Sequence, residues 1–263
     1  HEASGALNGL FRVRTFTQDD AHIFMREDQI EEEVIRLINF IDRMYAVFNL
    51  SYDIELSTRP EEKYIGDLNI WNKSEKALED ACHKAGHDCK INPGDGAFYG
   101  PKLDFHIRDS LGRVWQCGTI QLDMNLPERF DLTYVDKDGS KKRPVMLHRV
   151  IYGSIERFIG ILIEHYAGAF PLWLSPVQIN VIPVNNEYHL EYANKVVEEL
   201  RDKGFRVELD AREEKMGYKI RESQAQKIPL TLIIGDQEKN DNTVSYRKFG
   251  SQTTITKKIF EFI

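Results

Sequence analysis

Six side chains near the amino end are of types that could hold a phosphate-bearing ligand. They occupy alternate positions and are Arg12, Arg14, Phe16, Gln18, Asp20 and His22. The residues between them are apolar or β-branched in four places, Phe11, Val13, Thr15 and Thr17. Because successive side chains of a strand point to opposite faces, this alternation predicts a strand whose even residues line one surface. Arginine offers forked donors to phosphate oxygens, so the surface suits a phosphate-bearing ligand; a plain solvated sheet face is the alternative.

A second group of polar side chains follows two predicted turns, at residues 93–96 and 99–101. Alternation then puts four charged or ionisable side chains on one strand face: Lys102, Asp104, His106 and Arg108. A hairpin turn leads to a further strand from Val114 to Asp123. Gln116 and Gln121 have opposite parity, so both face one pocket only if this strand contains a bulge, for which Gly118 is suited. On this segment alone, Lys102 is either an anion contact or an ordinary surface lysine.

A third group combines a histidine strand with an arginine at a helix start. Residues 144–148 form a predicted strand that ends at His148, and residues 155–167 form a largely apolar predicted helix. Arg157 falls in the first turn of that helix, where the helix dipole disfavours a cation. An arginine there is explained if an anion binds at the same place, shared with the free backbone N–H groups. His148 alone is either a hydrogen-bonded core histidine or a ligand.

The elements that position these groups follow from periodicity. An amphipathic helix is predicted to begin at a capping box of Asp28 and Glu31 and to run to Asn49. A strand at 51–57 and a helix at 70–86 follow. After Pro171, Trp173 and Pro176 the pattern becomes α/β, which predicts a small parallel or mixed sheet with helical cover. The second part is predicted to contain strands at 177–184, 205–210 and 230–234, a helix ending before Gly204, a helix at 216–227 and a terminal strand–helix pair.

Composition limits the classes of protein. With 41% hydrophobic and 29% charged residues, the 263-residue chain is typical of a soluble globular protein, without an apolar run of membrane-spanning length or a visible signal peptide. Three cysteines fit a reducing cytoplasm. The net charge of −7 gives no bulk signal for nucleic acid. Residues 172–263 carry 14 Lys+Arg and 14 Asp+Glu, so the excess negative charge lies in residues 1–171. A local basic cluster is nevertheless present in the second part: Arg212, Lys215, Lys219, Arg221 and Lys227, with Arg247 and Lys248 on a later strand.

These stretches together resemble the class II aminoacyl-tRNA synthetases. His1-Glu2 with residues 12–24 resembles the rear part of the second motif of that class, and residues 153–160 resemble its third motif. Four further stretches resemble the threonyl-tRNA synthetases within the class: residues 17–22, 97–102, 116–121 and His148. Residues 172–263 resemble the anticodon-binding domain shared by threonyl, prolyl, glycyl and histidyl enzymes.

The resemblance implies an α+β fold. Residues 1–171 would form an incomplete antiparallel class II catalytic sheet with helices, and residues 172–263 a small α/β anticodon-binding domain. The implied activity is that of a threonine–tRNA ligase, which activates threonine with ATP and Mg²⁺ and transfers it to the 3′-terminal adenosine of tRNA(Thr). A homodimer in the cytoplasm, without a membrane partner, is implied for the parent protein.

The resemblance also assigns roles to matching positions. Glu2 would contact the adenine, Phe16 would stack on it, and Arg12 and Arg157 would hold the ATP phosphates. Lys102 joins these two arginines as a catalytic residue. The residues around threonine and the adenylate would be Gln18, Asp20, Tyr99, Lys102, Gln116, Gln121 and Ser154. In the second domain the implied anticodon contacts are Lys215, Glu238 and Arg247, with Glu213 and Lys227 as further counterparts.

His22 and His148 would be two of the three protein ligands of one zinc ion. An apolar pocket cannot strongly prefer threonine to isosteric valine, whereas a site that requires the substrate hydroxyl rejects the analogue without it. A zinc ion with open positions, bound by the amino and hydroxyl groups of threonine, would meet that need.

The resemblance places several family features upstream of His1: the first class motif, an arginine and the third zinc ligand, a cysteine. It therefore predicts that residues 1–263 alone bind zinc weakly and do not form the adenylate. Two alternatives stay open at this stage. One is a non-catalytic synthetase-like module that binds RNA through residues 172–263, and the other is a prolyl-type class II synthetase.

Overall fold

The computed structural model describes residues 5–262 and divides the chain into two compact units. The first unit ends at His165 and the second begins at Tyr166, near the composition change predicted at residue 171. The chain combines a largely antiparallel sheet with a smaller mixed sheet, which confirms the α+β class.

The first unit is built on a six-stranded sheet in the order β1-β8-β5-β4-β2-β3. Its neighbours are antiparallel except for the parallel pair β2–β3. A two-stranded ribbon, β6–β7, lies outside the main sheet. The strands are β1 (Ala21–Met25), β2 (Tyr52–Ser57), β3 (Cys89–Asn92), β4 (Lys102–Arg108), β5 (Val114–Asp123), β6 (Tyr134–Val135), β7 (Lys141–Lys142) and β8 (Val145–Val150).

Helices supply the apolar cover of this unit. They are α1 (Ile30–Val47), α2 (Leu68–Lys84), α3 (Leu126–Arg129) and α4 (Ile155–His165). The face of α1 that carries Val34, Ile38, Ile41 and Tyr45 is completely buried, as its 3.6-residue spacing predicts. The buried Tyr45 hydroxyl donates to the carbonyl of Ile151 at 2.6 Å, which joins the helix to the chain leaving β8.

The predicted capping box at the start of α1 is wrong. The Asp28 carboxylate instead forms an ion pair with Arg26 at 2.9 Å. The backbone N–H of Arg26 donates to the side chain of Gln29 at 3.0 Å. A short 3-10 turn, Glu27–Gln29, therefore precedes the helix.

The predicted strand over residues 12–22 is also wrong for most of its length. Only Ala21 and His22 belong to β1, and the segment before them makes isolated bridges, Asn8↔Arg12 and Gln18↔Ser154. The reason is the backbone partner. The Ile155 N–H donates to the carbonyl of Thr17 at 2.9 Å, so this stretch runs against the start of α4 rather than along a strand.

The predicted bulge in β5 is confirmed. Phe105 lies opposite Gly118 and His106 lies opposite Gln116, so the register shifts by one residue at Cys117. A Cβ on Gly118 would lie 2.9 Å from the Tyr45 hydroxyl and 3.0 Å from the Ile151 carbonyl oxygen. A side chain at this position would therefore force the Tyr45 hydroxyl or the chain at Ile151 to shift, which favours glycine.

The second unit is a five-stranded mixed sheet in the order β10-β9-β11-β12-β13. The first three of these run parallel, and β11, β12 and β13 are antiparallel to one another in turn. The predicted sheet with helical cover is confirmed. The described chain ends on a strand–helix pair as predicted, and a short helix and one further strand, which the sequence pattern did not predict, precede that pair. The elements are β9 (Ile179–Pro183), α5 (Asn186–Asp202), β10 (Val207–Leu209), α6 (Met216–Ala225), β11 (Leu230–Ile234), α7 (Asp236–Asp241), β12 (Thr243–Lys248), β13 (Ile255–Lys258) and α8 (Ile259–Phe262).

Across residues 5–262, none of the helices combines the length and the apolar character that crossing a membrane requires.

Candidate functional site

One row of polar residues crosses the main sheet from strand to strand. Strand pairing puts His22 opposite His148, His148 opposite Gln121 and Gln121 opposite Lys102. Residues directly opposite each other in a sheet share a face. The row therefore brings together side chains that are up to 126 positions apart in the sequence, counting from His22 to His148.

The two histidines of this row are in contact. Their ring centroids are 4.6 Å apart and the rings meet edge to face. His148 Nε2 lies 3.0 Å from Asp123 Oδ2, and the Asp123 side chain is completely buried. An ionised carboxylate only accepts, so Nε2 is the ring nitrogen that donates to Asp123, and Nδ1 is the one left for another ligand.

This donor set fits two of the ligands of a zinc ion. A zinc-binding imidazole ordinarily donates its other N–H to a carboxylate, as His148 does to Asp123. The other carboxylate oxygen of Asp123 accepts from the backbone N–H groups of Asn125 and Leu126, each at 2.9 Å, so its position is fixed. Between residues 5 and 262, no three His, Cys, Asp or Glu side chains are grouped so that they could hold a metal ion.

Tyr99 and Gln121 lie beside the histidine pair. The Tyr99 hydroxyl donates to Gln121 Oε1 at 2.6 Å, and the Tyr99 ring lies 5.3 Å from that of His148. Burial raises the pKa of Tyr99, and the negative charges of Asp123 and Asp20 raise it further. Tyr99 is therefore a neutral hydrogen-bond donor at physiological pH. The effect of Asp20 also indicates that this carboxylate lies near the same group of side chains.

Lys102 is not an ordinary surface lysine. Its side chain is only 15% exposed, and its ammonium lies 2.5 Å from the buried Asp104 carboxylate and 3.6 Å from the exposed carboxylate of Asp95. Gln116 also donates to Asp104, at 2.5 Å. The bulge in β5 thus gives Gln116 and Gln121 access to the same face, as the sequence predicts.

A cavity of about 430 Å³ adjoins this face, and we call it the arginine cavity. It is lined by apolar groups and by six predicted site residues: Arg12, Phe16, Gln18, Gln116, Ser154 and Arg157. Phe16 is 52% exposed although it is aromatic, so its ring is available to a planar ligand. Arginines and an exposed aromatic ring suit a ligand that combines phosphates with a base.

Arg157 is held at the edge of the arginine cavity. Its Nε donates to the Phe11 carbonyl at 2.9 Å and its Nη1 to the Gln116 carbonyl at 3.0 Å. The guanidinium lies 5.2 Å from the centre of the Trp115 ring, a cation–π distance. These contacts fix the cation at the start of α4.

The neighbouring Glu156 ties the same helix start to the amino-terminal segment. Its carboxylate accepts from the Thr17 N–H at 3.1 Å and from the Ser154 hydroxyl at 3.0 Å. Backbone N–H donors, first its own and then that of Thr17, lower the pKa of Glu156. Segment 12–18 is thereby held against the start of α4, with one isolated bridge at Gln18 and Ser154 in place of a continuous strand.

Three further side chains lie at the site without having been predicted as members of it: Asp104, Asp123 and Trp115. The sequence does contain a feature that could have identified Asp104. Aspartate is uncommon within strands, and Asp104 has the same parity as Lys102, which puts both on one face. Asp123 stands at the end of the predicted strand with the parity of Gln121. Glu2, which the sequence assigns to adenine, lies outside the described residues.

The predicted anticodon residues of the second unit lie at the start of α6, on α7 and on β12. Lys215 and Glu213 line a cavity of about 460 Å³ at the start of α6. Glu238 is 8% exposed, and its carboxylate accepts from the Gly235 N–H at 2.9 Å and from the Ser245 hydroxyl. Arg247 donates to Thr254 at 2.9 Å.

The predicted basic cluster is partly neutralised within the second unit. Lys219 is 3% exposed and donates to the Asp210 carbonyl at 3.0 Å. The Arg212 guanidinium pairs with the carboxylates of Asp210 and Glu222, and these contacts raise its pKa. Lys227 donates to the Ala167 carbonyl.

Comparison with known proteins matches both units to families. Residues 1–166 match the model of the tRNA synthetase class II core domain (G, H, P, S and T), and residues 178–263 match that of the anticodon binding domain. A threonine–tRNA ligase from Fusobacterium nucleatum is 60% identical over 264 residues, which cover 100% of this chain and 42% of that protein. One from Clostridium tetani is 58% identical over 262 residues, or 99% of this chain and 41% of that protein. The chain thus spans about two fifths of the length of these curated relatives.

Solved structures agree with these matches. The crystal structure described as the RNA binding domain of threonyl-tRNA synthetase from Cryptosporidium parvum superposes with a TM-score of 0.93 at 44% identity, covering 99% of this chain and 66% of that one. Prolyl-tRNA synthetase from Giardia lamblia, solved with prolyl-adenylate, superposes with a TM-score of 0.70 at 17% identity. The match covers 99% of this chain and 49% of that one, and it shows a likeness of fold alone. The chain therefore belongs to the class II aminoacyl-tRNA synthetases, in the group whose core domain is shared by the G, H, P, S and T enzymes.

Proposed function

We propose that this protein is a threonine–tRNA ligase. The observation that carries the proposal is the row of His22, His148, Gln121 and Lys102 on one sheet face, which continues toward the arginine cavity. The names of its close sequence relatives support the same activity. The row would bind the amino acid, and the cavity would bind ATP with Mg²⁺.

In this proposal, the arginine cavity holds ATP. Arg12 and Arg157 hold the phosphates, and Phe16 stacks on the adenine, with Glu2 and Gln116 as further nucleotide contacts. Guanidinium groups suit this task because their forked donors match phosphate oxygens and their charge persists at any physiological pH. The anchored guanidinium of Arg157 loses little freedom when the ligand arrives.

The amino acid lies over the polar row. Gln18, Asp20, Tyr99, Gln121 and Ser154 surround it, and Lys102 neutralises the charge of its carboxylate and of the adenylate phosphate. The carboxylate oxygen of threonine attacks the α-phosphorus of ATP, a new oxygen–phosphorus bond forms, and pyrophosphate leaves. No side-chain nucleophile is needed, so the residues of the site act by position and charge.

His22 and His148 would hold a zinc ion in this proposal, with Asp123 fixing the ring of His148. The zinc, when bound, would require a hydroxyl on the substrate and so separate threonine from valine. Valine has the shape of threonine without the hydroxyl, and shape alone discriminates such pairs poorly. The two imidazoles, Tyr99 and Asp20 would orient the amino acid around that hydroxyl.

The second unit would bind the anticodon of tRNA(Thr). Lys215 and Glu213 share one exposed cavity, and Arg247 lies on β12; we assign these residues, with Glu238 and Lys227, to base and phosphate contacts. The proposal further includes a homodimer in the cytoplasm. The three free cysteines are compatible with a reducing compartment.

Aminoacylation of unfractionated tRNA by the full-length protein tests this function. Threonine, serine, valine and proline are offered separately, and charged tRNA is resolved on acid gels. We expect charging with threonine on tRNA(Thr), with loss of charging in Arg157→Ala and retention in Arg129→Ala, an exposed arginine of α3 outside the site. Charging with proline would support the prolyl alternative. A folded protein that binds tRNA but charges none of them would support the non-catalytic module.

A further inference from the structure

Asp104 is a buried carboxylate beneath the candidate site, and the chemistry described above does not use it. It lies within β4 and is 1% exposed. Burial of an ionised carboxylate is strongly unfavourable unless donors surround it. Such a residue in the middle of a strand therefore calls for an explanation from its partners.

The partners of Asp104 are four side chains, one from its own strand β4 and three from the neighbouring strands β2 and β5. Oδ2 accepts from the Ser57 hydroxyl at 2.8 Å and from the Lys102 ammonium at 2.5 Å. Oδ1 accepts from the Gln116 amide at 2.5 Å and from the Thr119 hydroxyl at 3.1 Å. Each oxygen thus holds one residue of the candidate site and one hydroxyl of the sheet.

The carboxylate decides which way the Gln116 amide points. Because Asp104 only accepts, it selects the nitrogen end of the amide, which also lies 3.0 Å from the Thr119 hydroxyl. With Nε2 held by two acceptors, Oε1 is the end of the amide that a ligand in the arginine cavity meets. An unfixed amide would present either end.

The same carboxylate fixes the Lys102 ammonium. Lysine has a long flexible side chain, and holding it in one place costs conformational entropy. The contact with buried Asp104 meets that cost before any ligand arrives, whereas the second carboxylate near Lys102, Asp95, has a side chain that is 62% exposed and lies farther away. Lys102 is therefore preorganised from the buried side.

We propose that Asp104 is a positioning residue that fixes the Lys102 ammonium and orients the Gln116 amide, so that one buried carboxylate sets two ligand contacts. This rests on the proposed function, which assigns Lys102 and Gln116 to the amino acid and the nucleotide. Asp104 acts through these two side chains and does not itself touch the substrate.

Replacement of Asp104 by asparagine tests this role in the full-length protein. The amide of the variant puts a donor against Lys102 or Gln116 in place of an acceptor. We expect binding of a non-hydrolysable threonyl sulfamoyl adenosine, measured by calorimetry, to weaken about tenfold or more, because a hydrogen bond to a charged group is lost. Ser57→Ala is the matched control, since it removes a donor from the same carboxylate without contacting either ligand-binding side chain; we expect a loss below about threefold.

A double-mutant cycle separates positioning from a structural role. In the Lys102→Met/Gln116→Leu background, Asp104→Asn should change binding by less than about twofold, because the groups it positions are already gone. An equal loss in both backgrounds, or no loss in the wild-type background, would overturn the proposal. If Asp104→Asn does not fold, Thr119→Val is used in its place. We expect Thr119→Val to weaken binding of the threonyl compound in the wild-type background and to have no effect on it when Gln116 is leucine. Weaker binding in both backgrounds would likewise refute the role.

Failure of the proposed function would show up separately in the wild-type protein. In that case the wild-type protein would bind the valyl sulfamoyl adenosine as tightly as the threonyl one. If the wild type prefers the threonyl compound and the Asp104 variant binds it with the same affinity, the proposed function stands and only the positioning role of Asp104 is refuted.

Discussion

His22 and His148 lie directly opposite each other across the β1–β8 pair, with ring centroids 4.6 Å apart. His22 lies near the amino end, whereas His148 lies on β8, the last strand of the first unit in sequence order. Antiparallel pairing alone brings them together, so the histidine pair depends on the register of two strands rather than on a flexible loop.

Replacement of either histidine by alanine should therefore weaken zinc binding by the full-length protein by at least about tenfold, since each removes one of two neighbouring imidazole donors. Competition with a chromophoric zinc chelator measures the effect. His83→Ala is the matched control, because His83 lies at the exposed end of α2 away from this pair. Equal zinc affinity in the His22, His83 and wild-type proteins would contradict the assignment.

Phe16 and Phe24 form a matched pair for testing whether the arginine cavity binds the nucleotide. Both rings are about half exposed, at 52% and 54%, but only Phe16 lines the arginine cavity. Loss of a base–aromatic stack costs about 1–3 kcal/mol, so Phe16→Ala should raise the KM for ATP about tenfold. Phe24→Ala should leave it within about twofold. The same rise in both variants would show that Phe16 does not stack on the base.

Asp19 and Asp20 are neighbours with different tasks. Asp19 accepts from the backbone N–H groups of Ile151 and Tyr152, each at 2.9 Å, and from Arg149 at 3.3 Å. Asp19→Asn places a donor against these donors and should lower the free energy of unfolding by about 1–3 kcal/mol in urea titrations. Asp20 is exposed, so Asp20→Asn should change the free energy of unfolding by less than about 0.5 kcal/mol. The same substitution should raise the KM for threonine. Equal stability of the two variants would refute the distinction.

Cys117 lines the arginine cavity and yet should be unreactive. It is 3% exposed, and burial raises the pKa of its thiol to about 12. A raised thiol pKa means less thiolate at a given pH, so iodoacetamide at pH 8 should modify the half-buried Cys89 well before Cys117. Labelling of Cys117 should increase only as the pH rises toward 12 or after unfolding in urea. Peptide mass spectrometry decides, and equal rates for both thiols in the folded protein would contradict the burial argument.

Alternation predicted β4 and β5 well because their residues combine period-2 polarity with strand partners on both sides. The bulge followed from the parity of Gln116 and Gln121 together with a nearby glycine. The structure adds the physical reason for Gly118, which is the close approach of the Tyr45 hydroxyl. The two strands and the bulge depend on local residue patterns, so they can be predicted from the sequence.

The same alternation failed over residues 12–20. Arg12, Phe16 and Gln18 do line the arginine cavity, together with Phe11 and Val13 of the other parity. The backbone partners of this stretch come from the start of α4, as the Thr17–Ile155 hydrogen bond illustrates. Periodicity indicates which side chains share a face and carries no information about which backbone completes the hydrogen bonds. The short helix α7 was missed for a similar reason, because six residues contain too few turns to reveal a period.

Long-range polar partners could not be predicted from the sequence. Asp123 meets His148 and Asp104 meets Gln116 only once the strand registers are set. Parity suggested that Asp104 shares a face with Lys102, but not that its buried carboxylate contacts both Lys102 and Gln116. Burial depends on the whole sheet, which a local pattern does not specify.

The most direct test of the central claim is amino-acid-dependent ATP–pyrophosphate exchange by the full-length protein, with threonine compared with valine. Valine has the shape of threonine but lacks the hydroxyl that the histidine side of the site is proposed to require. We predict that kcat/KM for threonine exceeds that for valine by at least about a thousandfold, as expected of a site that binds a hydroxyl. Exchange with valine within about tenfold of that with threonine would contradict the account.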